Sequence, residues 1–175
     1  FNGNAAAYFD GGNDYMVAGG FSTFPDTDFT IVNVFAALSS ETTGHFTAIT
    51  QNNTPISMGG VSYIFRITGS QIGLRLWTDA EYLSGGNYSD SSVHSAIMRI
   101  GSDDSLKYYI DGNFMSDRSG FFTGGVYSAN YLMIGGSSAY GYLSGYPIEL
   151  IYFDRKLTNY EIDVINDYVK QKWGI

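Results

Sequence analysis

Short apolar stretches of period two, each closed by Gly, Asp, Asn or Ser, recur along most of this chain at roughly the 8–12 residue spacing of a β-sandwich or barrel. Alternation of this kind favours strands, where a spacing near 3.6 would favour helix. Phe29–Phe35 sets Phe29, Ile31, Asn33 and Phe35 on one side and Thr30, Val32 and Val34 on the other. That segment is apolar enough for a strand buried on both faces. Phe46–Thr50, Val61–Thr68, Ile72–Trp77, Val93–Ile100, Leu106–Ile110, Tyr131–Ile134 and Ile148–Phe153 read as further strands. Gly69-Ser70, Asp103-Asp104 and Asp111-Gly112 supply turn chemistry between them, the last being a strong two-residue hairpin signal.

Composition agrees with this cadence. The 175 residues include 22 Gly, 15 Tyr and 12 Phe but only 3 Pro, and 13 of the 17 acidic residues are Asp. Gly and Asp favour turns, while Tyr and Phe favour strands. Nothing in the chain looks like a linker or a repeat, so residues 1–175 read as one domain, large enough to bury roughly 70% of its unfolded surface. The start at Phe1, without a signal peptide, suggests a domain cut from a larger protein. Without cysteine, disulfides and thiolate metal sites are excluded. Val34–Leu38 is the longest uninterrupted apolar run, far too short for a membrane-spanning helix. The net charge of −8 leaves no basic footprint for nucleic acid, so the expected partner is neutral, cationic or bridged by metal.

The period changes only at the C-terminus. Thr158-Asn159-Tyr160-Glu161 is a capping box, in which hydroxyl and carboxylate each satisfy an orphan backbone N–H. Ile162, Ile165, Val169 and Trp173 then fall on one stripe of a helix. Lys170 and Lys172 complement its C-terminal dipole, and Gly174 suits a left-handed stop. The spacing of Tyr168 and Trp173 with Ile162 and Ile165 predicts packing on the sandwich rather than an exposed binding stripe. Residues 1–154 hold 14 acidic and 5 basic side chains, whereas 155–175 hold 3 and 4, so the acidity belongs to the β body.

Two loops exceed what turns need. Thr78–Ser92 is polar, contains Gly85-Gly86 and carries Asp79, Glu81, Tyr82, Asn87, Tyr88 and Asp90. Ser137–Tyr146 reads SSAYGYLSGY, with Tyr140, Tyr142 and Tyr146 among Gly and Ser. A loop of more than about 12 residues in a compact domain is usually functional or disordered.

Four segments carry a resemblance to a known family. Tyr8–Met16, YFDGGNDYM, resembles the opening "F-D-G-x-x-D-Y-V" strand–turn–strand of LamG-like, concanavalin A-type jelly rolls. Leu106–Gly112, LKYYIDG, is similar to the family's "L-Y-V-D-G" hairpin. Tyr131–Gly136 with Gly145–Glu149 resembles its "I-G-G … G-x-I-x-E" strands, and Ile151–Ile175 matches the closing "Y-x-R-x-L … K-W-G" strand and helix. The resemblance implies an all-β, two-sheet antiparallel jelly-roll sandwich with one C-terminal amphipathic helix. It further implies a non-catalytic carbohydrate-binding or adhesion module of the kind found on secreted enzymes, surface proteins and phage tails. Calcium often stabilises a rim site in such domains. The matching motifs are structural, and none transfers a ligand-binding residue.

Catalysis is tested against the residues themselves. Hydrolytic relatives of this fold use a Glu-x-Asp-x-(x)-Glu array, and glycoside hydrolysis needs two carboxylates about 5–10 Å apart. Glu41, Glu81, Glu149 and Glu161 form no such array. An Asp79–Asp90 pair is the remaining candidate, so the expectation is a non-enzyme. His45 and His94 are too few and too separated for a histidine metal site.

Sugar binding needs flat apolar faces for pyranose C–H groups and planar polar groups for hydroxyls, usually on loops. Trp77, Asp79, Tyr82, Asn87 and Tyr88 offer both in one stretch, and Tyr140 and Tyr142 offer a second aromatic group. Trp77 reads more readily as a strand end packed in the core. Tyr82 and Tyr88 are expected to be exposed, and Tyr140 and Tyr142 fit either role. Calcium wants six to eight hard oxygens. Asp10, Asn13 and Asp14, or Asp79 with Asp90, are the candidates, although Asp10–Asp14 fits better a turn bonded to its own backbone. No cofactor is required and calcium is optional. The partner expected is a cell-surface or extracellular glycan, met outside the cell by a virion or a secreted or surface-bound bacterial protein. An oligomer could form through the parent protein, and a structural or oligomerisation domain is the alternative of a different class.

Overall fold

The computed structural model describes residues 2–19, 28–41, 43–50, 61–76, 81–101, 105–119, 131–137 and 141–175. In chain order these form β1 (Phe9–Asp10), β2 (Met16–Gly19), β3 (Phe29–Ala37), β4 (Thr43–Thr50), β5 (Val61–Thr68), β6 (Gln71–Leu76) and β7 (Glu81–Leu83). They continue with β8 (His94–Ile100), β9 (Ser105–Ile110), β10 (Asn113–Ser119), β11 (Tyr131–Ile134), β12 (Gly136–Ser137), β13 (Gly141–Tyr142), β14 (Ser144–Phe153) and α1 (Asn159–Trp173). One six-stranded sheet has the order β1-β14-β3-β8-β9-β10 and the other β2-β11-β4-β5-β6-β7, while β12 and β13 pair separately. Every pairing is antiparallel. The result is a jelly-roll sandwich: the strand cadence predicts a sandwich or barrel, and the family resemblance implies the jelly roll.

The alternation of β3 explains the layering. Phe29, Ile31, Phe35 and Ala37 face the second sheet, where they meet Phe46, Phe65, Ile67, Ile72 and Leu74. The Phe35 and Phe46 rings stack across the interface with centroids 3.7 Å apart. Val32 and Val34 point the other way, onto Leu157, Ile162, Val169 and Trp173 of the C-terminal segment. The centre of the first sheet is thus covered on both faces, and all nine residues of β3 are buried. Each large side chain so buried stabilises the fold by roughly 1.5–3 kcal/mol. The polar Asn33 sits on the inner face, and its Oδ1 accepts a hydrogen bond from the Thr47 hydroxyl of the opposite sheet.

The helix starts and stops as its residues dictate. Thr158 Oγ1 accepts from the Glu161 N–H at 3.3 Å, the Glu161 carboxylate accepts from the Thr158 N–H at 2.8 Å, and Gly174 ends the helix at φ +76°. Buried Arg99 of β8 donates to the Leu157 carbonyl and to Asn159 Oδ1, both at 2.8 Å, pinning the helix start. At the other end, Glu149 of β14 accepts from Tyr168, Lys172 and the Trp173 indole at 2.8, 2.8 and 2.6 Å. Burial alone would raise the Glu149 pKa, but these donors, Lys172 foremost, outweigh it and the net shift is downward. Trp173 packs as its spacing predicts. Tyr168 does not: 39% of its surface remains exposed, its hydroxyl donates to Glu149, and the Lys172 ammonium stands over its ring at 5.2 Å.

The two long loops are less irregular than the composition suggests. Thr78–Ser92 contains β7, which returns along β6 with Glu81 opposite Arg75 and Leu83 opposite Gly73. Within Ser137–Tyr146, Gly141–Tyr142 pairs with Gly136–Ser137, and β14 already begins at Ser144. Glycine backbones let three chain segments crowd there: a Cβ at Gly141 would lie 2.4 Å from the Thr43 carbonyl oxygen. β10, the partner demanded by the Asp111-Gly112 turn, completes the first sheet at its edge.

Candidate functional site

Antiparallel pairing gathers several connections at one end of the sandwich. The Asp10–Asp14 turn, Leu38–Glu41, the Gly69-Ser70 hairpin, residues 84–93, Asp111-Gly112 and the segment leading to Ser144 all meet there. The 84–93 loop is tied to the sheets by its backbone. Ser84 donates to the Ile72 carbonyl at 2.9 Å, Tyr88 to Ser70 at 2.8 Å and Ser91 to Ala37 at 2.9 Å. From Ala37 the network continues: Leu38 donates to the Ser144 carbonyl at 3.0 Å, and the buried Glu41 carboxylate accepts from the Thr43 and Ser144 N–H groups at 2.8 and 2.5 Å. The rim is therefore a hydrogen-bonded ledge rather than a set of separate loops.

At its centre is His94, the first residue of β8. Nδ1 lies 2.9 Å from Asp111 Oδ2 and Nε2 lies 3.1 Å from Asp90 Oδ1. A neutral imidazole donates from one nitrogen only, so two carboxylates favour the imidazolium. Burial by itself would lower the His94 pKa, but Asp111 and then Asp90 outweigh it and the net shift is upward. Asp90 moves the opposite way: burial opposes its charge, yet the Ser92 N–H and His94 hold its carboxyl below the usual range. Asp111 also accepts from the Ser95 N–H at 2.8 Å while its own backbone turns at φ +50°.

The predicted residues separate in this frame. Tyr88 is not the exposed platform expected. Its ring is half-buried on the inner core and meets His94 edge-on at 5.1 Å and 85°. Burial and then the Asp111 charge push its phenol pKa up. Asn87 is exposed, with Oδ1 accepting from the Ser89 N–H at 3.1 Å in a local turn that leaves its amide N–H groups outward. Tyr142 is half-buried over Gly136. Tyr82 belongs to β7, opposite Leu74, and its side chain lies outside the described residues. Trp77, Asp79 and Tyr140 also lie outside them. The described flanks of Trp77 and Asp79, Leu76 and Glu81, are at the far end of the sheet from Tyr88, because β7 reverses the chain between them. The described flanks of this stretch thus lie at two ends of the fold.

Among the metal candidates, Asp10 Oδ1 accepts from the Gly12 N–H at 2.7 Å and Asp14 Oδ2 from the Asp10 N–H at 2.9 Å, the self-bonded turn its residues suggest. Asn13 lies inside that turn. Among the described residues, no three His, Asp or Glu side chains are grouped to hold a metal ion. Sequence reading placed neither His94 nor Asp111 in the site. Their pairing was encoded only in the register that sets Ala96 opposite Ile110. A second aromatic pair stands on the outer face near β1: Tyr8, 53% exposed, and Tyr146, at 5.2 Å.

This two-sheet antiparallel jelly-roll architecture is shared with solved structures of low sequence identity. The native heptameric SAP-like pentraxin of Limulus polyphemus superimposes with a TM-score of 0.71 at 12% identity, over 91% of this chain and 80% of that one. A botulinum neurotoxin type C structure, from a toxin whose cell entry depends on two ganglioside molecules, gives 0.61 at 10% identity, over 89% of this chain and 40% of that one. The CBM40 domain of the Ruminococcus gnavus IT-sialidase, bound to α2,3-sialyllactose, gives 0.60 at 16%, over 80% and 83%. No protein-family model and no curated protein matches the sequence. At these identities the likeness is one of fold, and this chain spans about two-fifths of the neurotoxin structure.

Proposed function

We propose that this domain is a non-catalytic carbohydrate-binding or adhesion module that meets its ligand at the 84–94 rim. The observation carrying this reading is the ledge itself. A polar, Gly-rich loop that would otherwise cost ordering entropy on binding is already fixed by bonds to β3, to β6 and to the turn before β6. It presents the Asn87 amide and the Asp90 carboxylate, groups that donate to and accept from vicinal hydroxyls. The sialidase module holds sialyllactose and the neurotoxin depends on gangliosides, so glycan recognition is a use to which this fold is put elsewhere.

Within that class we place the domain in the LamG-like group, outside the cell, in the host-attachment part of a phage tail protein. The four sequence resemblances and the Gly/Ser/Asn/Tyr-rich, lysine-poor composition support that setting. Appended to a secreted polysaccharide-degrading enzyme, the same surface would hold the catalyst on its substrate. Among the described residues, no helix is long and apolar enough to cross a membrane.

A glycan array probed with the intact domain tests the reading, with Asn87→Asp as control. That variant keeps the oxygen that closes the Ser89 turn and removes the outward amide donor. Binding to a defined glycan, weakened in Asn87→Asp at unchanged Tm, is expected. An empty array overturns the function, and equal binding by the variant moves the site away from Asn87.

A further inference from the structure

The first sheet is not covered to its edge. α1 lies over β14, β3 and β8, and beyond it the outer face of the β9–β10 ribbon opens into a groove of about 520 Å³. Phe114 of β10 stands in this groove with 54% of its surface exposed, braced edge-on by Tyr109 of β9 at 5.7 Å and 65°. A β-bulge between Phe114 and Ser116 shifts the register by one residue. Continued without it, the ladder would place Ser116 opposite Lys107; with it, Asp117 takes that place and the outer face. Bulges next to sites re-aim side chains in this way. Lys107 and Asp117 make no ion pair with any described residue. From the helix side, Asn159 and Asp163 line the same groove one turn apart. Asn159 Oδ1 is occupied by Arg99, so its amide N–H groups are the part left to the groove.

We propose that this groove is a second saccharide subsite, which takes a neutral hexopyranose with its C–H face on Phe114. The braced ring supplies a flat apolar platform of fixed orientation. Asp117 and Asp163 accept from vicinal hydroxyls, and the Asn159 amide and Lys107 ammonium donate to ring and hydroxyl oxygens. Two carboxylates against one ammonium leave the groove with a charge of −1, which selects against sialic acid and other anionic sugars. The inference rests on the reading of the domain as a glycan-binding module, but the site is separate from the rim, so the two can fail separately.

Amide chemical-shift mapping of the intact ¹⁵N-labelled domain tests this. The probes are the methyl pyranosides of glucose, galactose, mannose and N-acetylglucosamine, with N-acetylneuraminic acid as the anionic control. Expected are shifts confined to Lys107–Asp117 and Asn159–Asp163 with at least one neutral glycoside. Phe114→Ala should weaken the response by about tenfold, the loss of one aromatic platform, without lowering Tm. Shifts at 84–94 alone overturn the groove and leave the rim reading standing, and shifts in the groove alone do the reverse. Silence at both sites sinks both. A groove response to N-acetylneuraminic acid equal to that of the neutral sugars overturns the specificity. A concentration-dependent dimer abolished by Phe114→Ala also overturns the proposal, since the ring would then be a contact between copies.

Discussion

His94 Nδ1 and Asp111 Oδ2 lie 2.9 Å apart between the start of β8 and the β9–β10 turn, and Asp90 closes on the other ring nitrogen. One imidazole thereby joins the rim loop, a hairpin and the first sheet. Its protonation state sets how firmly the proposed binding ledge is held.

The folded-state pKa of His94 is raised, so its contribution to stability is complete below the unfolded value near 6.5 and is lost as pH rises through the folded value. Asp111→Asn keeps a side chain that tolerates the left-handed turn but removes the charge. The Tm difference between the native protein and this variant should be wider at pH 6 than at pH 9. The His94 side chain is 11% exposed and that of Asp111 24%, so solvent screening at the rim cuts the effect to about 1 kcal/mol. A difference independent of pH would show that the clamp acts through neutral hydrogen bonds.

His45 titrates with the opposite sign. Burial in β4, only partly offset by a bond to the Gly136 backbone, holds its pKa down to about 4. The unfolded chain takes up this proton first, so stability falls as pH drops from about 6.5 towards 4, by up to about 3 kcal/mol. Urea unfolding across that range should show a shallower acid decline in His45→Gln. Parallel curves would argue that the carboxylates alone account for acid sensitivity.

Glu41→Gln tests the ledge. One carboxylate oxygen accepts from Thr43 and the other from Ser144, and an amide must turn its NH₂ towards one of those donors. We expect a loss of about 1–3 kcal/mol, the cost of one unsatisfied buried group. Chemical denaturation measures it, and a change below about 0.5 kcal/mol, the range of ordinary surface substitutions, would mean the oxygens are not both needed.

Trp173 tests the helix. Its ring is 6% exposed and its indole N–H meets Glu149. Trp173→Ala should cost about 3–5 kcal/mol, with amide protection lost first in the last turns of α1. Retained protection there would mean that Ile162 and Val169 hold the helix without it.

Much of this was legible because it depends on local pattern. The alternation in Phe29–Phe35 predicted a strand buried on both faces, and the Thr158–Glu161 box with its apolar stripe predicted the helix and its two ends. The short strands β7, β12 and β13 were not legible, since two or three residues carry no measurable period and are held in strand form by their neighbours. For the site, the sequence identified the polar loop but not the direction of Tyr88, which turns inward because His94 and the core offer it a packed face. It also made Trp77 and Tyr88 look adjacent, when an antiparallel return separates the ends on which their neighbours lie.

By itself, the order of residues determined the β body, the excess of acidic side chains within it, the capped helix and, for want of cysteine, the absence of a thiolate site. Such properties follow from spacing, charge and backbone preference, which act within a few residues. Only the tertiary structure decided that Asp111 meets His94, that a bulge lifts Asp117 to the face of Phe114, and that α1 stops short of β10. Those outcomes depend on strand register and on which faces are covered, and a single-residue shift in pairing would have reversed the first two.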